Sequence, residues 1–254
     1  LHDFIGHRIF QYAVLVDPGL VSKGVATDDR LVALDHHACH LGDQPAGPEQ
    51  LLGLHPAPDS AQGVGAGDRV CLFMDRHAEL YIGFLAVLKL GAIVQPLFSA
   101  FGEESLFTRL ENAETGAVIT EMKHVRKVRR IRERLPHLAR IFVIDGQDKP
   151  LQDLEQPLAM HELPPAPDFV CAETGPETPS VLHYTSGTTG QPKGGPLTHA
   201  NLLHQLRHLG VAVAPQPGDR VLSVLPIWHA YERSAEYFLL ACGCAQTYTT
   251  LKQL

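Results

Sequence analysis

"HYTSGTTGQPKGGPLTH", residues 183–199, places three glycines, four hydroxyl residues and one lysine between Thr185 and Gly194. A polyphosphate needs donors converging from several directions, and glycine lets backbone N–H groups approach closely and take positive φ. The hydroxyls of Thr185, Ser186, Thr188 and Thr189 add donors, and Lys193 adds a point charge able to follow an outer phosphate. This is not the Walker spacing, in which the lysine follows glycine and precedes Ser or Thr at the head of a helix; here Lys193 follows Pro192 and precedes Gly194 and Gly195. Two glycines and Pro196 stop a helix from starting at the lysine, which predicts a mobile loop that closes over phosphate as a lid. A plain surface turn has the same composition, so these residue types alone leave both readings open.

Outward from this loop the chain alternates short β-branched runs with helical periodicity, the pattern of βαβ units around a largely parallel sheet flanked by helices. Upstream, "SVLHYT" leads into the loop as a strand; downstream, "THANLLHQLRHL" reads as a helix with Thr198 at its N-cap and Leu202, Leu203, Leu206 and Leu209 inward. "DRVLSVLPI", "ERSAEYFLLACG" and "AQTYT" repeat strand, helix, strand. Nearer the amino end, "RVCLFM" (69–74) is a buried strand and "ELYIGFLAVLKLG" a helix with Leu80, Phe84, Val87 and Leu88 on one face. "AIVQPL", "EESLFTRLENAETG", "AVIT" and "ARIFVID" follow as strand, helix, strand, strand. The expected organisation is an irregular segment over 1–62, a first α/β lobe over 63–145, a proline-rich connector over 146–179 and a second lobe over 180–254. Prolines at 150, 157, 164, 165, 167, 176 and 179 bar the connector from continuous helix or a central strand.

Seven lysines and arginines lie between Lys123 and Arg134. Met122, Val125, Val128, Ile131 and Leu135 recur there at helical spacing and no aromatics are interleaved, which predicts the solvated face of an amphipathic helix rather than a nucleic-acid surface. A net charge of −7 likewise argues against nucleic acid as a partner. Five cysteines, an odd number in a chain of 254 residues, read as reduced thiols. With no apolar run long enough for a span and no leader pattern, the expected location is cytoplasmic. Residues 1–64 hold six of the fifteen histidines, and "HHACH" (36–40) offers ligand types without a standard zinc spacing, so no metal residue is assigned.

The string "YTSGTTGQPKG" closely resembles the phosphate-loop signature of the adenylate-forming superfamily, which includes acyl-CoA synthetases, amino-acid adenylation domains and beetle luciferases. "GVGAGDRV" (63–70), "LKLGAIVQPL" (88–97), "RLENAETGAVIT" (109–120), "PLTHANL" (196–202) and "LPIWHAYERSAEY" (225–237) agree in order and spacing, so the resemblance covers residues 63–254. It implies the incomplete N-terminal domain of that fold. It also implies that Thr185, Ser186, Gly187, Thr188, Thr189, Gly190 and Lys193 bind the outer phosphates of ATP, with Mg²⁺ accompanying the nucleotide. The chemistry implied is attack of a carboxylate on the α-phosphate, then capture of the acyl group by CoA or a carrier-protein phosphopantetheine. His229 matches the family position beside the carboxylate pocket, where it is the candidate catalytic residue, and with Trp228 it would line the acid pocket; a core histidine is the competing reading.

"SVLPIWHAYERSAEYFLLACGCAQTYT" looks most like long-chain fatty-acyl-CoA or acyl-carrier-protein synthetases, whereas "AELYIGFLAVLKLGAIVQPLFSAFG" leans toward acetyl-CoA synthetases. The substrate is therefore expected to be a small carboxylic acid, fatty or short, with peripheral association with a membrane surface left open. The family's later motifs for adenine, ribose, magnesium and the catalytic lysine do not occur before Leu254, and both ends look cut. The resemblance thus implies an N-terminal portion that is inactive alone, and a non-catalytic nucleotide-binding fragment is the alternative.

Overall fold

The computed structural model describes residues 31–32, 63–160, 171–185, 192–225 and 228–248. Expectations for the rest of 1–62 and for 161–170, "HHACH" among them, lie outside the described residues.

Seven strands form the larger sheet: β2 (Arg69–Phe73), β3 (Ile93–Pro96), β4 (Ala117–Thr120), β5 (Arg140–Val143), β6 (Glu155–Pro157), β7 (Pro179–Thr185) and β8 (Lys193–Thr198). Their order is β6-β5-β4-β2-β3-β7-β8, parallel throughout except that β8 runs antiparallel to β7. Parallel strands covered on both faces read as unbroken apolar runs, and all four residues of β4 are buried. Helix α1 (Ala78–Lys89) links β2 to β3, α2 (Glu103–Asn112) links β3 to β4, and α3 (Met122–Ile131), continued by a 3₁₀ turn, links β4 to β5.

The predicted inward faces of α1 and α3 are borne out, whereas of Leu202, Leu203, Leu206 and Leu209 only Leu206 is buried. Leu80, Phe84, Val87 and Leu88 of α1 are buried, as are Val125, Val128 and Ile131 of α3. Helix α1 ends on Gly91 at φ +70°, where Gly91 N–H donates to Leu88 O and Ala92 N–H to Val87 O; that paired closure needs a left-handed residue.

The charged face of α3 is not simply solvated. Arg129 grips Glu155 bidentately at 2.7 Å for both contacts, Arg134 pairs with Glu104, Arg130 with Glu103, and Lys127 donates to Ser99 O at 2.7 Å. Much of the basic run is thus spent on contacts that bind α3 to α2 and to the far edge of the sheet. Glu155 opens β6, a three-residue edge strand inside the proline-rich stretch; Pro157 is tolerated there because an edge strand has a side that needs no donor.

A second, three-stranded sheet has the order β1-β10-β9, from β1 (Leu31–Val32), β9 (Arg220–Ser223) and β10 (Ala245–Tyr248). β9 and β10 are parallel and β1 antiparallel to β10, so the amino-terminal segment that shows no sequence period nevertheless contributes a strand. Helix α4 (His199–His208) follows β8, and α5 (Ala230–Ala241) joins β9 to β10. The chain forms two compact units: one gathers Arg76–Ala78 with the residues from Ala200 onward and β1, the other holds residues 63–75 and Glu79–His199.

Candidate active site

The residues singled out in the sequence fall on two stretches, one in each unit, and each is described by itself.

In the larger unit the described parts of the quoted stretch are two antiparallel strands, the end of β7 and β8, here termed the hairpin. β7 is held in the sheet through Val181, which pairs with Val94 of β3, and β8 returns along its other edge with Leu182 opposite Pro196, Tyr184 opposite Gly194 and Thr185 opposite Lys193. Lys193 therefore begins a strand, correcting the expectation that it lies in a mobile loop. "KGGPLT" has little strand propensity of its own; pairing with β7 imposes the conformation, and Pro196 is accommodated because β8 is the sheet edge. Thr185 and Lys193 are exposed, at the end of the strand pair next to residues 186–191. Ser186, Gly187, Thr188, Thr189 and Gly190 lie outside the described residues.

Side chains that the motif reading missed fasten this hairpin. The Tyr184 hydroxyl lies 2.7 Å from Asn112 Oδ1 and 3.1 Å from Arg109 O, at the carboxyl end of α2. Arg109 O also accepts from Gln95 Nε2 at 2.9 Å, and Gln95 Oε1 accepts from Thr115 Oγ1 at 2.6 Å, so a terminal helix carbonyl is fully used. The Arg109 guanidinium lies 4.2 Å from the centre of the Phe101 ring and 5.9 Å from that of Tyr184. Burial pushes the Tyr184 phenol up to about 12, with the Arg109 cation pulling the other way, so Tyr184 stays a neutral donor. A Cβ on Gly194 would stand 3.1 Å from Tyr184 Cζ and 3.3 Å from Leu182 Cδ1, so the ring rests against bare backbone.

At the base of the hairpin, His199 N–H donates to Thr178 O at 3.1 Å and Ser180 Oγ to Leu197 O at 3.0 Å. His199 is 8% exposed, and burial holds its imidazole below the ordinary histidine range. A depressed histidine resists the proton that the unfolded chain accepts, so the folded state loses stability as pH falls below about 6.5. The melting temperature should fall between pH 7.5 and pH 5, and His199→Gln should flatten that fall; an equally steep fall in the variant would contradict the assignment.

In the smaller unit, β9 leads to α5. His229 takes extended backbone angles, φ −81° and ψ 134°, and caps α5, its Nδ1 accepting from Tyr231 N–H at 3.3 Å. The capping bond fixes Nδ1 as acceptor and leaves Nε2 to carry the ring proton. His229 is exposed and Trp228 half-buried, which does not fit the core-histidine reading. The inward face of α5 carries charge beside Tyr237, Phe238 and Leu240: Glu232, Arg233 and Glu236 are all buried. Ser223 Oγ lies within hydrogen-bond reach of both Glu232 Oε1 and Glu236 Oε1, the latter at 2.8 Å, and Arg233 donates to the Tyr237 hydroxyl at 3.0 Å.

Among the described residues, Asp75, Glu121 and His124 place ligand-type atoms within 4.8 Å of one another. Lys123 Nζ already sits 2.7 Å from Asp75 Oδ2 and 3.0 Å from Glu121 Oε2, while Asp75 Oδ1 meets His124 Nε2 at 2.9 Å. An ammonium fills the position a cation would take.

A family model described as AMP-binding enzyme matches residues 60–253. Over 75 residues the chain is 57% identical to a chloroplastic long-chain fatty acid acyl-carrier-protein ligase of Arabidopsis thaliana, covering 30% of this chain and 10% of that protein. It is 34% identical over 145 residues to the acetyl-coenzyme A synthetase of Bacillus subtilis, covering 56% and 24%. It is 31% identical over 178 residues to the long-chain fatty acid CoA ligase FadD15 of Mycobacterium bovis, covering 68% and 29%. The chain spans about a tenth to a third of the length of the curated relatives it matches. Among solved structures, acetoacetyl-CoA synthetase from Streptomyces lividans matches with a TM-score of 0.68 at 21% identity, covering 80% of this chain and 32% of that one. The N-terminal domain of FACL13 from Mycobacterium tuberculosis matches at 0.63 and 24%, covering 74% and 45%. These two show a shared fold.

Proposed function

The chain belongs to the AMP-binding enzyme family, and on that premise we propose that it supplies the phosphate-binding hairpin and part of the acid pocket of an ATP-dependent, AMP-forming acid–thiol ligase. The observation that carries this reading is the strand pair itself, with Lys193 registered opposite Thr185 next to residues 186–191 and the strand behind them fastened to α2 through Tyr184. In the first half-reaction a carboxylate oxygen attacks the α-phosphorus of ATP and the bond to pyrophosphate breaks. In the second, a thiol attacks the acyl carbon and AMP leaves. Thr185 and Lys193, with Ser186, Gly187, Thr188, Thr189 and Gly190 between them, would meet the outer phosphates. Chemistry of this kind is driven by positioning and charge neutralisation. Mg²⁺ would arrive with the nucleotide; neither hairpin strand carries a carboxylate, so no residue here is assigned to it.

The acid is read as fatty, on the resemblance of the 223–249 stretch and the relatives named for long-chain fatty acids; a short acid is the other arm, since a relative is named for acetyl-CoA. CoA or a carrier-protein phosphopantetheine is the proposed acceptor. No helix among the described residues is long and apolar enough to cross a membrane. A cytoplasmic location, with the described cysteines as free thiols, belongs to the same proposal.

Trp228 and His229 test the acid assignment. Each methylene of a chain buried in the pocket is worth about 0.8 kcal/mol, so reshaping its wall changes long acids more than short ones. In a polypeptide carrying these residues at the length of its relatives, Trp228→Ala and His229→Ala should alter the ratio of kcat/KM between acetate and a long-chain acid. An unchanged ratio in both variants would remove the two residues from the acid pocket.

A further inference from the structure

Arg76 lies three residues beyond β2, yet its guanidinium packs among residues some 150 positions later in the chain, in the smaller unit. Arg76 Nη1 donates to Ser223 O at 3.1 Å and Nη2 donates to Leu225 O, so one planar fork holds two backbone acceptors where β9 ends. The same group stands 3.6 Å from Glu232 Oε1 through Nη2 and 3.7 Å from Glu236 Oε1 through Nε. Both carboxylates are on α5, and their side chains are 8% and 2% exposed. A buried carboxylate persists only where cations and hydrogen bonds compensate it. Here two buried acids, Glu232 and Glu236, face the guanidinium of Arg76, with Arg233 buried on the same helix and the Ser223 hydroxyl between the acids.

The arrangement has a consequence for Trp228 and His229, which lie between the two ends that Arg76 grips. The incoming end is fixed at Ser223 and Leu225, and the outgoing end at Glu232 and Glu236, in the first two turns of the helix that His229 caps. We propose that Arg76 is the positioning residue of the acid pocket: it holds Leu225 on one side and the start of α5 on the other, and thereby sets the placement of Trp228 and His229. The claim that this segment meets the acid rests on the function proposed above; the claim that Arg76 orders it does not.

Arg76→Lys and Arg76→Gln separate geometry from charge. Lysine keeps the cation beside Glu232 and Glu236 but lacks the planar fork that reaches two carbonyls at once. Trp228 is the only tryptophan in the 254-residue chain, so acrylamide quenching of its fluorescence reports on this segment alone. The quenching constant of Arg76→Lys should rise about twofold or more, with the far-ultraviolet spectrum unchanged, as a once-ordered segment loosens. An unchanged constant overturns the proposal. So does loss of the folded spectrum in the lysine variant, which would make Arg76 a determinant of the fold rather than of this segment. In the polypeptide at the length of its relatives, Arg76→Lys should raise KM for the acid about tenfold and leave KM for ATP within about twofold, as misplacement of a binding wall does. Equal changes in both, or a change in ATP alone, count against it. If the parent protein shows no acid-dependent reaction at all, the proposed function fails, and the fluorescence result still decides whether Arg76 orders the segment.

Discussion

In a polypeptide carrying these residues at the length of its relatives, Lys193→Ala is expected to slow acid-dependent exchange of pyrophosphate into ATP by about 10²-fold, the size of effect seen when one positioned electrostatic group is removed. Lys193 opens β8 directly opposite Thr185, so its backbone is held by a paired strand. Charge gathers on the departing pyrophosphate as the α-phosphate is attacked, and a cation held there favours the transition state over the ground state. The anchoring of Tyr184 at the end of α2 means that the backbone from which the lysine projects need not be ordered at the moment of reaction. The ranking of acids should stay as it was. A changed ranking with little loss of rate would assign Lys193 to the acid instead of the phosphates.

Phe73→Ala is expected to cost about 3–5 kcal/mol, because the side chain is fully buried and its removal leaves a cavity that the sheet cannot close. Phe73 ends β2, the middle strand of the seven, and lies in one cluster with Leu106 of α2, Val118 of β4 and Val125 and Val128 of α3. Its carbonyl also accepts from Thr120 Oγ1 at 2.7 Å. Val213→Ala is the control: the residue is 58% exposed, and the change should stay within about 0.5 kcal/mol. Chemical denaturation of both variants measures the difference. Equal costs would mean that β2 is not the centre of the core.

The alternation of strands and helices from Arg69 to Val143 was legible because each element there shows its own period: β4 is apolar up to Thr120 and buried throughout, and α3 displays four apolar residues at helical spacing. β8 was not. Lys-Gly-Gly-Pro has no strand signature, and the strand exists only because β7 offers an unpaired edge. The destinations of the basic residues on α3 were hidden for a related reason. An amphipathic pattern tells which face is polar, but not that Arg129 will find Glu155 across 26 positions or that Arg134 will find Glu104. In the candidate site, glycines and hydroxyls marked the proposed phosphate loop locally, whereas Tyr184 and Arg76 act through partners 72 and 147 positions away. No local period marks such residues; their partners are set by strand order.

The most direct test of the account is acid-dependent exchange of labelled pyrophosphate into ATP by a polypeptide that carries these 254 residues at the length of its relatives. The account predicts exchange that requires a carboxylic acid, is supported best by one class of chain length, and drops about 10²-fold in Lys193→Ala. Absence of exchange with every acid from acetate to a long-chain fatty acid, or exchange that proceeds equally well without any acid, would contradict it.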